Sequence, residues 1–305
     1  MTAAKRKGRR ITSRDDRVVD AAVLLISLIA VVVVLYPLIF VLSASVSDPT
    51  QVVAGKVTFL PKGFTLEGYQ RILEYQPIWR GYLNTICYTL LKTAVSLLAT
   101  LCAAYSLSRK DMRGRGFFTF YFMMTMFLSA GLIPTYLMMQ AYGMLNTIWP
   151  LILLGCVSMH NLVVVRTYYT SSIPYELSEA AFIDGCSDIK LFVRIILPLS
   201  KPVIAVIALY AAVAEWNAYF TPMIYLTDSK LYPLQVHLRN ILIMGQMQDF
   251  LGADPEELAD MVRLQQLRES MKYGLIVLSS LPLLIVYPFL QRFFVKGVMM
   301  GSIKG

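Results

Sequence analysis

Two charged residues sit where charge is costly. Lys92 and Glu215 each fall well inside an apolar run of the 305-residue chain, and an ionised side chain at bilayer depth normally faces protein or water. Lys92 is about ten residues into its run, roughly 15 Å at 1.5 Å per residue, and Glu215 is about twelve into another from the opposite side, roughly 18 Å. Both therefore reach the midplane, either as a structural ion pair across a bundle or as residues lining a hydrophilic path. Beside Glu215, the residues Trp216, Asn217 and Tyr219 gather an amide and aromatic rings at one depth, although Asn also bonds between helices and Trp also fills interfaces. Tyr136 and Asn161, the latter next to His160, are further polar candidates within apolar runs. No nucleophile–base set or metal cluster accompanies them. Cys87, Cys102, Cys156 and Cys186 lack metal-ligand spacing and read as packing residues, and the 16 dispersed methionines read as adaptable packing. Gly55-Lys56 lacks the earlier glycine of a G-x-x-x-x-G-K-[ST] phosphate loop.

A second constellation occupies residues 174–202, a polar island between apolar stretches. Pro174 opens a predicted short helix, with Glu176 and Glu179 near its positive end, where carboxylates are favoured. Ala180 and Ala181 leave a close-packing surface, and Gly185 permits a turn that larger residues resist. Asp184 is placed to cap a second, amphipathic helix carrying Ile189, Phe192, Ile195 and Ile196, which Leu197-Pro198 should stop. The layout is that of a docking element.

The elements that position these residues are helices in a membrane. The chain is 57% hydrophobic and only 15% charged, against about 25% charged in a soluble domain, and several apolar runs exceed the ~18–20 residues that cross a bilayer. Six spans are predicted near 18–43, 82–107, 116–140, 147–168, 203–226 and 273–295, giving an all-α polytopic membrane protein. Residues 1–17 form a basic tail with seven Lys and Arg, and the run that follows is too long for a signal peptide. The net charge of +9 thus reflects topology rather than nucleic-acid binding. With the N-terminus inside, 18 of the 28 basic residues lie on inner segments and 9 on outer ones, with Lys92 inside a span. This two-to-one bias predicts N-in/C-in and puts 174–202 in the cytoplasm. Outer segments are then 44–81, whose Tyr69, Tyr75 and Trp79 suit an interfacial helix, and 227–272, where Asp254, Pro255 and Glu257 mark a helix start. That helix should carry Leu258, Met261, Val262 and Leu267 toward a partner or the membrane edge.

Residues 174–202 resemble the EAA loop of ABC importer permeases: Glu179, Ala180, Ala181, Gly185, Ile195, Leu197 and Pro198 all match its pattern. From about residue 15 onward the chain resembles the smaller permease of carbohydrate-type ABC importers, the MalG-like family with its MetI/MalG-like permease fold. The resemblance includes Asn84-Thr85, Ala104-Tyr105-Ser106-Leu107-Ser108-Arg109, Ile133-Pro134-Thr135-Tyr136, Trp216-Asn217 and Gly301-Ser302-Ile303-Lys304-Gly305. Tyr232 to Asn240 resembles a subgroup associated with complex oligosaccharides and polysaccharide fragments. Cys186 stands where the family usually has Ala, and Glu215 precedes the Trp-Asn pair.

The resemblance implies a transport subunit that binds no cofactor of its own. ATP and Mg would sit on two copies of a cytoplasmic ABC ATPase, partnered by a second, MalF-like permease. An extracytoplasmic solute-binding protein, in some bacteria a lipoprotein, would deliver sugar to this multi-pass subunit of the bacterial cytoplasmic membrane, which is surrounded by lipid. Glu179 would pair with a basic group on the ATPase, Ala180 and Ala181 would sit against its groove, and Gly185 would make the turn. Trp216, Asn217 and Tyr219 would suit a sugar path, with Lys92, Glu215, Tyr136 and Asn161 as further lining candidates. The alternatives are a permease of another ABC importer, which would lack the surrounding family stretches, and an ion-coupled transporter or channel, which would depend on an ion gradient.

Overall fold

The computed structural model describes residues 14–244, Glu269 and 271–288. The helix predicted to start at Asp254, apart from Glu269, lies outside them, as do most of the basic tail, residues 289–295 of the last predicted span and the terminal Gly301–Gly305 stretch. Among the described residues the chain is helical, with one isolated antiparallel bridge, Ser47 to Phe64.

The organising element is α4 (Gln76–Ser108), an unbroken helix against which α8 (Met159–Ser172), α11 (Lys201–Trp216) and α13 (Leu234–Met244) all pack. One face of α4 is small or hydroxylated: Gly81, Thr85, Thr89, Ser96, Thr100 and Ala104 are buried, which lets neighbouring backbones approach closely. At its C-terminal end a core of Leu101, Ala104, Leu107, Leu162, Val165, Leu191, Val203 and Ile207 joins α4, α8, α11 and the 174–202 loop. At the opposite end, α3 (Glu67–Glu74), α13 and α14 (Met271–Pro288) share a second core of Ile72, Ile78, Leu234, Met271 and Leu275. These are called the loop end and the cap end below.

The first helix, α1 (Arg14–Ser45), is exposed along its apolar length. Its last turns are held: Ser43 Oγ donates to Phe59 O at 2.7 Å, Tyr69 Oη donates to Ser45 Oγ at 3.0 Å, and Phe40 meets Tyr273 edge-on at 5.8 Å. Between α1 and α3, α2 (Pro49–Val53) starts at Asp48, whose Oδ1 accepts from Thr50 N at 2.8 Å.

Three predicted spans are not single helices. The 116–140 run is α5 (Arg115–Phe127) and α6 (Leu132–Ala141), bent by 115°. Gly131, at φ +80°, ends the intervening turn, and Pro134 falls in the first turn of α6, where its missing N–H costs nothing. The 147–168 run is α7 (Trp149–Leu153) and α8, separated by a turn with Gly155 at φ +67°. The 203–226 run is α11 and α12 (Phe220–Tyr225), broken at Asn217–Tyr219. Among the described residues, three helices are long and apolar enough to cross a membrane, or up to five when each bent pair is one span.

Candidate functional site

The loop at 174–202 folds as two helices joined by a tight turn. α9 (Tyr175–Ile183) ends in a Schellman arrangement: Gly185 N donates to Phe182 O at 3.0 Å and Cys186 N to Ala181 O at 2.9 Å. That geometry places Gly185 at φ +72°, and a Cβ there would meet nothing within 4 Å. The glycine is therefore required by backbone conformation, not by crowding.

Two expectations about the turn need correction. Asp184 does not cap the second helix; it closes α9, because the Schellman turn consumes Gly185 and Cys186. The cap of α10 (Asp188–Leu199) is Ser187, whose Oγ accepts from Lys190 N. Nor does Leu197-Pro198 stop that helix. A π-helical stretch over Phe192–Ile196 widens the register ahead of Pro198, and the helix runs to Leu199 before turning 81° into α11.

The loop has an inner and an outer face. Glu179, Ala180, Asp184, Gly185 and Pro198 are exposed, while Ile195 and Leu197 are half-buried. Ala181 is 8% exposed and belongs to the chain's own core with Leu191 and Ile196, so it is not available to a partner's groove as expected. Polar and aromatic contacts then lock α9 and α10 to the end of α4. Arg109 pairs with Asp111 through two hydrogen bonds, of 2.9 and 2.8 Å, lies 3.6 Å from Asp188, and covers the Phe182 ring at 4.8 Å. Lys110 lies over Tyr175 at 4.7 Å, and Tyr105 meets Phe192 at 4.8 Å. The Asp111 hydrogen bond holds the Arg109 guanidinium above its ordinary value despite desolvation. Arg109 is the residue whose role the sequence hid: it stood out only as an inner charge and as the end of a family stretch, and its partners lie both next door and about eighty residues away along the chain. Tyr105, Arg109 and Tyr169 also line a cavity of about 130 Å³ at this junction.

Deeper in the bundle, Lys92 Nζ lies 2.9 Å from Glu215 Oε2, joining α4 to α11, with side chains 19% and 6% exposed. Lys92 stands midway between Gln76 and Ser108. Trp216 is packed inside the bundle: it is 5% exposed, donates Nε1–H to Ser279 O at 2.9 Å, and meets Tyr82 edge-on. Asn217 and Tyr219 are exposed at the break between α11 and α12, with Asn217 Nδ2 donating to Val213 O at 2.8 Å. Tyr136 stacks on Tyr225 at 5.9 Å, and Asn161 is half-buried in the first turn of α8. The structure thus joins Lys92 with Glu215 but gathers no single lining from the seven candidates.

At the cap end, side chains of α4 clamp the segment leading into α13. Asn84 Nδ2 donates to the carbonyls of Lys230 and Tyr232, Tyr88 Oη donates to Leu231 O, and Thr85 Oγ1 accepts from Leu234 N at 2.8 Å. The Asn84-Thr85 pair was visible in the sequence only as a family match; its distant carbonyl partners were not.

Known proteins share this architecture. A family model described as "Binding-protein-dependent transport system inner membrane component" matches residues 2–300. The polygalacturonan/rhamnogalacturonan transport system permease YtcP of Bacillus subtilis is 37% identical, covering 95% of this chain and 98% of its own. Protein LplC of the same organism is 36% identical over 90% of each chain. A crystal structure of a bacterial ABC transporter that imports the acidic polysaccharide alginate contains a chain with a TM-score of 0.84 and 32% identity, covering 94% of this chain and 100% of that one. With this coverage and the loop geometry in place, the chain belongs to the family of inner membrane components of binding-protein-dependent transport systems.

Proposed function

We propose that this chain is one of two permease subunits of an ATP-driven importer for oligosaccharides or polysaccharide fragments in a bacterial cytoplasmic membrane. The observation that carries the reading is the two-faced 174–202 loop. Its exposed face presents Glu179, Ala180 and the Gly185 turn, and its inner face is fixed to α4 through Ala181, Leu191 and Arg109. A surface built this way transmits displacement from a docked partner into a span. ATP and Mg are held by two cytoplasmic ATPase subunits, a MalF-like permease completes the path, and a solute-binding protein delivers the sugar. Six spans in the N-in/C-in sense fit the charge bias, with α5 and α6, α7 and α8, and α11 and α12 each forming one interrupted span. Broken helices expose backbone where it lines a cavity, so Asn217 and Tyr219 are the path candidates of this chain. The relatives' names point to acidic glycans, and the pairing of Lys92 with Glu215 leaves that lysine neutralised rather than poised for a uronate.

The test is co-purification of the ATPase from solubilised membranes, with the partner permease co-expressed. Wild type should retain the ATPase, and a Glu179→Lys, Gly185→Arg variant that inserts normally should lose it. Equal retention by both, or by neither, refutes coupling through this loop and favours a gradient-driven transporter.

A further inference from the structure

The cap end holds a cavity of about 320 Å³ at the junction of α3 and α4 with the 229–241 stretch, within the size range of small-molecule sites. Its lining joins the rings of Tyr75, Tyr232 and His237 to the polar ends of Ser229 and Asn240, with Pro77 as an apolar wall. Among the described residues, none of those five polar side chains has a hydrogen-bond partner. Aromatic faces beside uncommitted hydroxyl, amide and imidazole groups are the chemistry that takes a pyranose ring: the apolar face of the sugar stacks, and its hydroxyls both donate and accept.

The site is built rather than incidental. Gly81 gives way to the imidazole: a Cβ there would fall 2.7 Å from His237 Cδ2 and 3.3 Å from Leu234 N. Tyr232 meets His237 edge-on at 6.0 Å, and its backbone carbonyl is held by Asn84. The Tyr232 and His237 side of the cavity is therefore held against α4 before any ligand arrives, which lowers the ordering cost of binding. Burial keeps the His237 imidazole below its ordinary protonation range, so that it presents one donor and one acceptor.

We infer that this cavity is an outer saccharide subsite, holding one pyranose unit of an oligosaccharide at the extracytoplasmic mouth of the permease. The inference rests on the transport reading and its topology, which make the cap end the delivery side. Tyr75 provides the stacking surface, and Asn240 and Ser229 take ring hydroxyls.

The experiment uses the complete transporter in nanodiscs without its binding protein and measures binding of trigalacturonate and of a neutral galactotriose. Tyr75→Ala and Asn240→Ala each alter a half-exposed or exposed side chain with no hydrogen-bond partner among the described residues, so the complex should assemble normally. Each should weaken saccharide binding about tenfold, the effect of one lost stacking or hydrogen-bonding contact, and the saccharide should protect an Asn240→Cys variant from an impermeant maleimide. Binding and labelling unchanged in a complex that still imports either sugar overturn the subsite alone. A complex that imports neither sugar with its binding protein restored overturns the transport reading and the subsite with it.

Discussion

Breaking the Lys92–Glu215 pair should damage the protein unequally from its two sides. At 2.9 Å the gross attraction is about 6 kcal/mol at an effective dielectric near 20, much of it offset by desolvation of both ions. Removing one partner exposes that offset, because the survivor stays buried and unpaired, at a cost of about 3–5 kcal/mol. Lys92→Met strands the Glu215 carboxylate, which is 6% exposed, whereas Glu215→Leu strands an ammonium that is 19% exposed on a flexible stem and can edge toward water. Lys92→Met should therefore be the worse of the two. The double variant Lys92→Met, Glu215→Leu removes both charges and should return close to wild type. A double-mutant cycle on thermal inactivation of the solubilised complex, with uptake measured in parallel, reads the coupling. The exchanged pair Lys92→Glu, Glu215→Lys should restore both stability and uptake. Single variants that each cost under about 1 kcal/mol and add independently would resemble exposed pairs and refute the structural role. Restored stability without restored uptake would instead make one of these residues part of the sugar path.

Gly81→Ala should force α13 off α4, since the new methyl would meet both His237 and the Leu234 backbone; about 1–3 kcal/mol is expected, with faster tryptic cleavage at Arg239. Tyr169→Phe should be neutral or mildly stabilising although Tyr169 is only 5% exposed, because its hydroxyl has no hydrogen-bond partner among the described residues; a loss above about 1 kcal/mol on heating contradicts this. The cap end should loosen in acid. Burial lowers the His237 pKa from 6.5, so the unfolded form takes up its proton first. Stability is full above that value, falls as the pH drops below it, and levels off once the folded imidazole is protonated. The pH dependence of tryptic cleavage at Arg239 should flatten in His237→Gln.

Hydropathy located the long helices well: 18–43 and 82–107 correspond to Arg14–Ser45 and Gln76–Ser108. It could not see the breaks at Gly131, Gly155 and Asn217, because apolar composition continues across each of them and only backbone conformation changes. The depth arithmetic that brought Lys92 and Glu215 to the midplane was sufficient to make pairing conceivable, and the structure supplies the facing orientation. The turn at Gly185 was legible because only one residue type suits its φ. Its cap was misplaced by three residues, since a Schellman turn consumes positions that a simple count assigns to the next helix. The Arg109 cluster and the Asn84 clamp were hidden for another reason: each depends on partners brought close only by folding.

The unbroken course of α4 carries a mechanical consequence. At 33 residues it is about 50 Å long, and three attachments are spaced along this one stiff rod: the carbonyl clamp, the ion pair and the Arg109 cluster. Its neighbours are jointed, at 115° between α5 and α6 and at 81° between α10 and α11. A tilt of about 5° about one end of such a rod sweeps the other end through about 4 Å. That is longer than the 2.8 Å bond from Leu234 N to Thr85, so the two ends cannot move independently. A push at the loop and the position of the cap are in effect one coordinate, and the joints in the adjoining helices are where the compliance resides.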